Sequence, residues 1–217
     1  MSSYEYEIQA IYGDSIEPAS RLSESERTRL TASKRVVDQN YFELDQYIDG
    51  TLATNPIYLC SRDRRQEAGF EVLRLLHNYL ASLYSFNETV RVLCNRRTRD
   101  GTSLSSGAFS PSSSDDSYYG RKLEFLRGLR TDFQHGGFSC LTFETSGTLG
   151  EFAGYHVVFD RQAFLEESGL REPQRFLTST NESERQYPLC FVARFHTERL
   201  QSFYTELEAW FKSASHE

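Results

Sequence analysis

The sequence predicts a mainly α fold: a bundle of about four long helices with a small β-hairpin inserted before the C-terminal helix. Three observations lead there. Apolar residues recur at intervals of three and four in four stretches, near 30–50, 65–96, 118–135 and 196–212. Between the third and fourth, β-prone runs separated by glycines replace that period. A hydrophobic content of 38%, with 14% aromatic, is enough to pack a core and too apolar for a wholly disordered chain. The 217 residues are read as a single helical domain, 1–217, with a mobile Ser/Gly-rich loop at about 98–117 and a β insertion at about 138–160.

Residues 1–20 show weak periodicity. Helical character begins near Ser23, where Ser23-Glu24-Ser25-Glu26 reads as an N-cap followed by first-turn acids. Val37, Tyr41, Leu44 and Ile48 then form an apolar stripe, and Gly50 with Asn55-Pro56 is expected to close the helix. The second helix is expected from about Ser61 to Arg97. Phe70, Leu73, Leu76, Leu80, Leu83 and Tyr84 form its stripe, continued by Val90, Leu93 and Cys94, with a bend near 85–87. His77 lies beside that stripe and reads as a packed residue. Residues 98–117 are rich in Ser and Gly and cannot bury enough apolar surface to offset ordering. After Gly137, Phe138, Cys140, Leu141 and Phe143, then Tyr155, Val157, Val158 and Phe159, read as the hairpin. Asp160 is placed to cap a short helix that Gly169 ends. The last helix carries Leu200, Phe203, Tyr204, Leu207, Trp210 and Phe211 on one face.

Composition excludes several classes. A net charge of −7 argues against a general electrostatic grip on nucleic acid and leaves room only for a local basic patch. Cys60, Cys94, Cys140 and Cys190 are scattered without a close pair, so they read as buried thiols, not a zinc site. The N-terminal stretch has no apolar core of the secretory kind. No apolar run approaches the roughly 18 residues of a membrane helix. These features predict a cytoplasmic protein with no membrane partner. There is no Walker A loop, no GxGxxG after a strand, no HExxH and no GxSxG, and His135, His156 and His196 stand apart.

The stretch 123–137, LEFLRGLRTDFQHGG, gathers the most potential chemistry. Leu123, Leu126, Leu129 and Phe133 form an apolar stripe, and Arg127, Arg130 and Gln134 flank it as a polar strip. Gly136 and Gly137 end the helix, with His135 in its last turn. Arginine and histidine suit phosphodiester chemistry. A histidine titrating near neutrality can deprotonate a 2′-hydroxyl or protonate a leaving oxygen. An arginine fork can hold phosphate and stabilise the charge that develops on it. Positions five apart on an α-helix diverge by about 140°. Arg130 and His135 therefore share a site only if the double-glycine end turns His135 back, or a second subunit completes it. The competing readings are structural: Arg130 pairs with Asp132 or with a neighbouring acid, and His135 favours the negative end of its helix.

LRGLRTDFQHGGF resembles the R-x4–6-H signature of the HEPN superfamily, and is similar to the LRNxxxH form found in many helical bacterial and archaeal proteins. The resemblance implies a helical bundle, a metal-independent endoribonuclease activity without cofactor, and a toxin–antitoxin or defence setting. It implies RNA as substrate, an antitoxin-like protein as partner, and a homodimer in which two motifs face each other. Carried over, Arg130 would bind the phosphate and His135 would be the acid–base residue. Arg127, Thr131, Asp132 and Gln134 would line the substrate. Where the family usually has Asn, Asp or His after the arginine, this chain has Thr131, with Asp132 one place later. That departure carries the alternative, a non-catalytic helical protein-interaction module.

Overall fold

The computed structural model describes residues 21–55, 59, 61–97, 126, 128–131, 141–148, 151–159, 192–193 and 195–213. Helix α1 spans Glu24–Asp45 and runs into a π-helical segment, Gln46–Leu52. Helix α2 spans Arg62–Arg97, 36 residues. Strands β1 (Leu141–Thr148) and β2 (Glu151–Phe159) follow. A second π-helical segment, Phe195–Leu200, leads into α3, Gln201–Ser213. No described helix is long and apolar enough to cross a membrane.

The start of α1 is built by a capping box. The Glu26 N–H donates to Ser23 Oγ at 3.3 Å, and the Ser23 N–H donates back to Glu26 Oε2 at 2.9 Å. Two N–H groups that the first turn leaves over are thus satisfied together. The buried positions of α1 and the π segment are Leu30, Lys34, Val37, Leu44, Ile48 and Leu52. Tyr41 fills the gap in this alternation of three and four, half-buried. The expected stop at Gly50 is corrected. The chain keeps coiling to Leu52 with i→i+5 bonds, and the Ala53 N–H reaches the Ile48 carbonyl at 3.0 Å. Wider winding lets Gly50 stay inside the coil and keeps Ile48 and Leu52 buried.

Ser61 caps α2, its Oγ accepting from the Arg64 N–H at 3.2 Å. The buried stripe is Ala68, Val72, Leu75, Leu76, Tyr79, Leu80, Leu83, Phe86, Val90, Leu93 and Cys94. Phe70 was expected on this stripe and is not: it is 63% exposed, because the stripe is anchored on Ala68 and Val72. The helix is unbroken through 85–87, where Thr89 Oγ1 donates to the Ser85 carbonyl at 3.0 Å. Arg96 and Arg97 stand in its last turn, where the carbonyl ends favour cations.

The mainly α expectation holds among the described residues, and the rest of the expected architecture is corrected in two respects, the hairpin's part in the core and the number of long helices. Every residue whose side-chain packing is described lies in or beside a helix, and none lies in a strand, so the described core is all helical and the fold is mainly α. Two long helices and a 13-residue third are described, not about four long ones. The expected third helix, near 118–135, is helical at 126 and 128–131 and otherwise lies outside the described residues, as do the Ser/Gly-rich loop and the capped helix at Asp160. Strands β1 and β2 pair antiparallel from Leu141↔Phe159 to Thr148↔Glu151, with an irregularity between Ser146 and Gly147.

The chain gathers into two compact units. The first combines Met1–Val37, Ser82–Glu124 and Arg194–Glu217, and the second Asp38–Ala81 and Phe125–Ala193. Each long helix contributes residues to both units. In the second unit Tyr79 is fully buried with its ring edge-on to Tyr41, centroids 6.1 Å apart. Burial pushes the Tyr79 phenol up, helped by Tyr41 and Asp38. Burial likewise pushes Tyr41 up to about 12, reinforced by Asp45, whose carboxylate accepts from its hydroxyl at 3.4 Å. Leu126, 1% exposed, belongs to this unit. Leu126→Ala is expected to cost about 2–5 kcal/mol in denaturant unfolding, the price of a buried leucine side chain and the cavity it leaves.

In the first unit the end of α2 is tied to the cap of α1. Arg97 pairs with Glu26, whose side chain is only 13% exposed. Burial alone would raise the Glu26 carboxyl. The Ser23 N–H, the Arg97 guanidinium and the Ser23 hydroxyl outweigh it and hold the group below its usual range. A carboxyl lowered by folding stabilises above its unfolded-state range and loses that contribution as pH falls through its folded one. Acid unfolding of Glu26→Gln, followed by circular dichroism between roughly pH 5 and pH 2, is therefore expected to show a shallower loss of stability than wild type.

Candidate functional site

The structure describes two of the six residues singled out in 123–137. Arg130 and Thr131 are helical and half-buried, directly after the buried Leu129. Both hold interactions within the protein. Leu126 and Leu129 are each 1% exposed, so the expected apolar stripe is packed where it is described. Arg127, Asp132, Gln134 and His135 lie outside the described residues. Arg130 and Thr131 are neighbours on one turn, at the polar edge of the stripe.

A second polar cluster, in the first unit, was not foreseen. Lys34 occupies a core position of α1 and is 4% exposed. Its ammonium donates to Gln201 Oε1 at 3.1 Å, at the start of α3. The other end of that amide, Nε2, lies 3.3 Å from His196 Nε2. His196 is itself 4% exposed. The ammonium also stands over the Tyr204 ring, 5.4 Å from its centroid. A desolvated contact of this kind contributes up to about 2 kcal/mol. The Tyr204 hydroxyl donates to Glu208 Oε1 at 3.1 Å and lies 3.2 Å from Thr31 Oγ1. Phe86 of α2 closes the cluster, its ring tilted against Tyr204 at 6.3 Å.

Local winding explains how His196 and Gln201 meet. They are five residues apart, which on an α-helix would point them well away from each other. His196 sits in the π-helical segment Phe195–Leu200, and i→i+5 bonding stacks such positions over one another. Segments of this kind occur mostly as single turns and often at functional sites. One signal in the sequence pointed here: Lys34 stands where the three–four alternation of α1, from Leu30 to Val37, calls for an apolar residue.

The described residues offer no group of three or more His, Cys, Asp or Glu side chains placed to hold a metal ion. A recess lined by Leu22, Arg27, Leu30, Glu208, Phe211 and Lys212 has a largely apolar wall. Comparison with protein-family models, curated proteins and solved structures gives no match for this chain. The described residues define a mainly α protein.

Proposed function

We propose that the chain is a HEPN-like helical protein that cleaves RNA without a metal ion, with Arg130 holding the scissile phosphate and His135 moving the proton. The observation that supports this reading is the setting of Arg130. It is half-buried on helical backbone beside the buried Leu126 and Leu129, so the arginine of the motif is carried by a packed helix. In the step envisaged, neutral His135 takes the proton of a ribose 2′-hydroxyl. The freed oxygen attacks phosphorus, and the bond to the 5′-oxygen breaks. Arg130 stabilises the charge gathering on the phosphoryl oxygens. The departing oxygen receives its proton from a second copy of the motif across a homodimer. In this reading the protein acts in the cytoplasm and is opposed by an antitoxin-like partner.

Two features favour the second reading, a non-catalytic interaction module. Phe42 and Phe70, both in the second unit, are 56% and 63% exposed. Thr131 also stands where the motif usually carries Asn, Asp or His. The deciding experiment is RNA cleavage by purified protein in excess EDTA, wild type against His135→Ala.

A further inference from the structure

We propose that the outer face of α1 is an interface at which two copies of this chain pair antiparallel about Gln39. α1 runs without a break from Glu24 to Asp45, so the helix itself fixes the spacing of the residues on this face. Five of them stand symmetrically. Gln39 is at the centre, Val36 and Phe42 lie three places to either side, and Arg35 and Glu43 lie four places to either side. Residues three and four apart share a helix face, and all five are exposed. They lie opposite Leu30, Val37 and Leu44, which are buried within the chain. Val36 is 53% exposed, and with Phe42 it is one of the two large apolar side chains that α1 leaves in water.

Symmetry selects the occupant. In a two-fold pair, the residue that meets a given position of the other copy is met by it in turn. Antiparallel pairing about Gln39 brings position 35 level with position 43 of the second copy, and 36 level with 42, since each lies as far from Gln39 as its mate. Arg35 and Val36 of one copy therefore form a layer with Phe42 and Glu43 of the other, and the two-fold repeats that layer on the far side of Gln39. Each layer holds one cation, one anion and two apolar side chains. Parallel pairing would set Arg35 against Arg35 and Glu43 against Glu43, so charge favours the antiparallel arrangement. No ion pair takes Arg35 or Glu43 among the described residues; Glu43 accepts from Gln39 at 3.0 Å, and Arg74 is paired with Glu71. A second copy supplies the complement by symmetry, whereas any other partner would have to carry a matching pattern of its own. A single helix pair of this length falls at the small end of protein interfaces, below about 1,200 Å², so the dimer is weak and concentration-dependent. The contact is argued from α1 alone and goes beyond the RNA-cleaving reading. Its test involves no RNA and leaves the Arg130–His135 chemistry to its own experiment.

The full chain is followed by sedimentation equilibrium from about 1 µM to about 300 µM, a range that reads weak pairs. Wild type is expected to shift from monomer to dimer across it. Arg35→Glu and Glu43→Arg, each made singly, put like charges into both layers and are expected to weaken self-association about tenfold or more. Mixed in equal amounts, the two variants restore an opposite pair in each layer and are expected to associate with each other about as tightly as wild type. Phe42→Ser removes an apolar group from each layer and is expected to weaken pairing as well, with the helical circular dichroism unchanged because the side chain is exposed. A wild type that stays monomeric overturns the proposal and leaves the face to another partner. So does a dimer that neither charge reversal weakens, or a mixture of the two variants that pairs no better than either alone.

Discussion

Phe86→Ala is expected to destabilise the protein by about 3–5 kcal/mol in urea unfolding, the range for truncating a fully buried phenylalanine. Phe86 is 0% exposed, lies in the middle of the α2 stripe and packs its ring on Tyr204 of α3. Truncation removes the aromatic wall of the Lys34–Tyr204 cluster and leaves a void that helix backbone is slow to fill. Phe86→Leu keeps most of the volume and is expected to cost less than half as much. Equal losses for the two variants would show that the ring is not the packing element described. The fall in midpoint should come without a large change in slope, since the surface exposed on unfolding stays the same.

The helices were legible because burial follows the period that the sequence carries. Val37, Leu44 and Ile48 are all buried as expected, and so are Leu200, Phe203, Leu207, Trp210 and Phe211. Ser23-Glu24-Ser25-Glu26 announced the start of α1 as an N-cap followed by first-turn acids, and in the structure Ser23 and Glu26 close it as a capping box. Winding was not legible. Neither π-helical segment was foreseen: Gln46–Leu52 falls where Gly50 with Asn55-Pro56 was expected to close the helix, and most of Phe195–Leu200 falls in the stretch near 196–212 expected to be the last helix. Residue preferences separate helix from coil, but they carry little information on whether a turn closes at i+4 or at i+5. His196 therefore read as an isolated histidine, although winding alone brings it to Gln201. Phe70 misled for a different reason. A large apolar residue at a plausible interval was counted into the stripe, while the smaller Ala68 two places earlier is the buried one. Of the candidate catalytic residues, the arginine is placed on a packed helix turn, and the rest of that motif carries its weight through chemistry alone.

The second large effect concerns that chemistry. His135→Ala is expected to lose RNA cleavage altogether, because no other group in the motif titrates near neutrality to take the 2′-hydroxyl proton. Its Tm is expected to stay close to that of wild type, because the sequence reads His135 as the last turn of its helix, a position where a histidine contributes only about 0.3–1 kcal/mol when exposed. Arg130→Ala is expected to lose activity as well, and Arg130→Lys to recover little of it, because a single ammonium does not reproduce the bidentate fork. Arg130 is half-buried and holds interactions in the fold, so part of its loss should appear as lowered stability. The two variants thus separate. One loses activity at unchanged stability, the other loses both.

The central claim meets its most direct test in the ends of the RNA fragments. Purified protein is incubated with a mixed RNA pool in excess EDTA, and the new termini are analysed. Attack by a 2′-oxygen without a metal predicts 2′,3′-cyclic phosphate on one side of the cut and a free 5′-hydroxyl on the other. It also predicts no cutting where the ribose carries a 2′-methoxy group and none by His135→Ala. Cleavage that needs added metal, leaves 3′-hydroxyl ends, or continues unchanged in His135→Ala would contradict the account. So would a wild-type protein that leaves every RNA intact, the outcome expected of an interaction module.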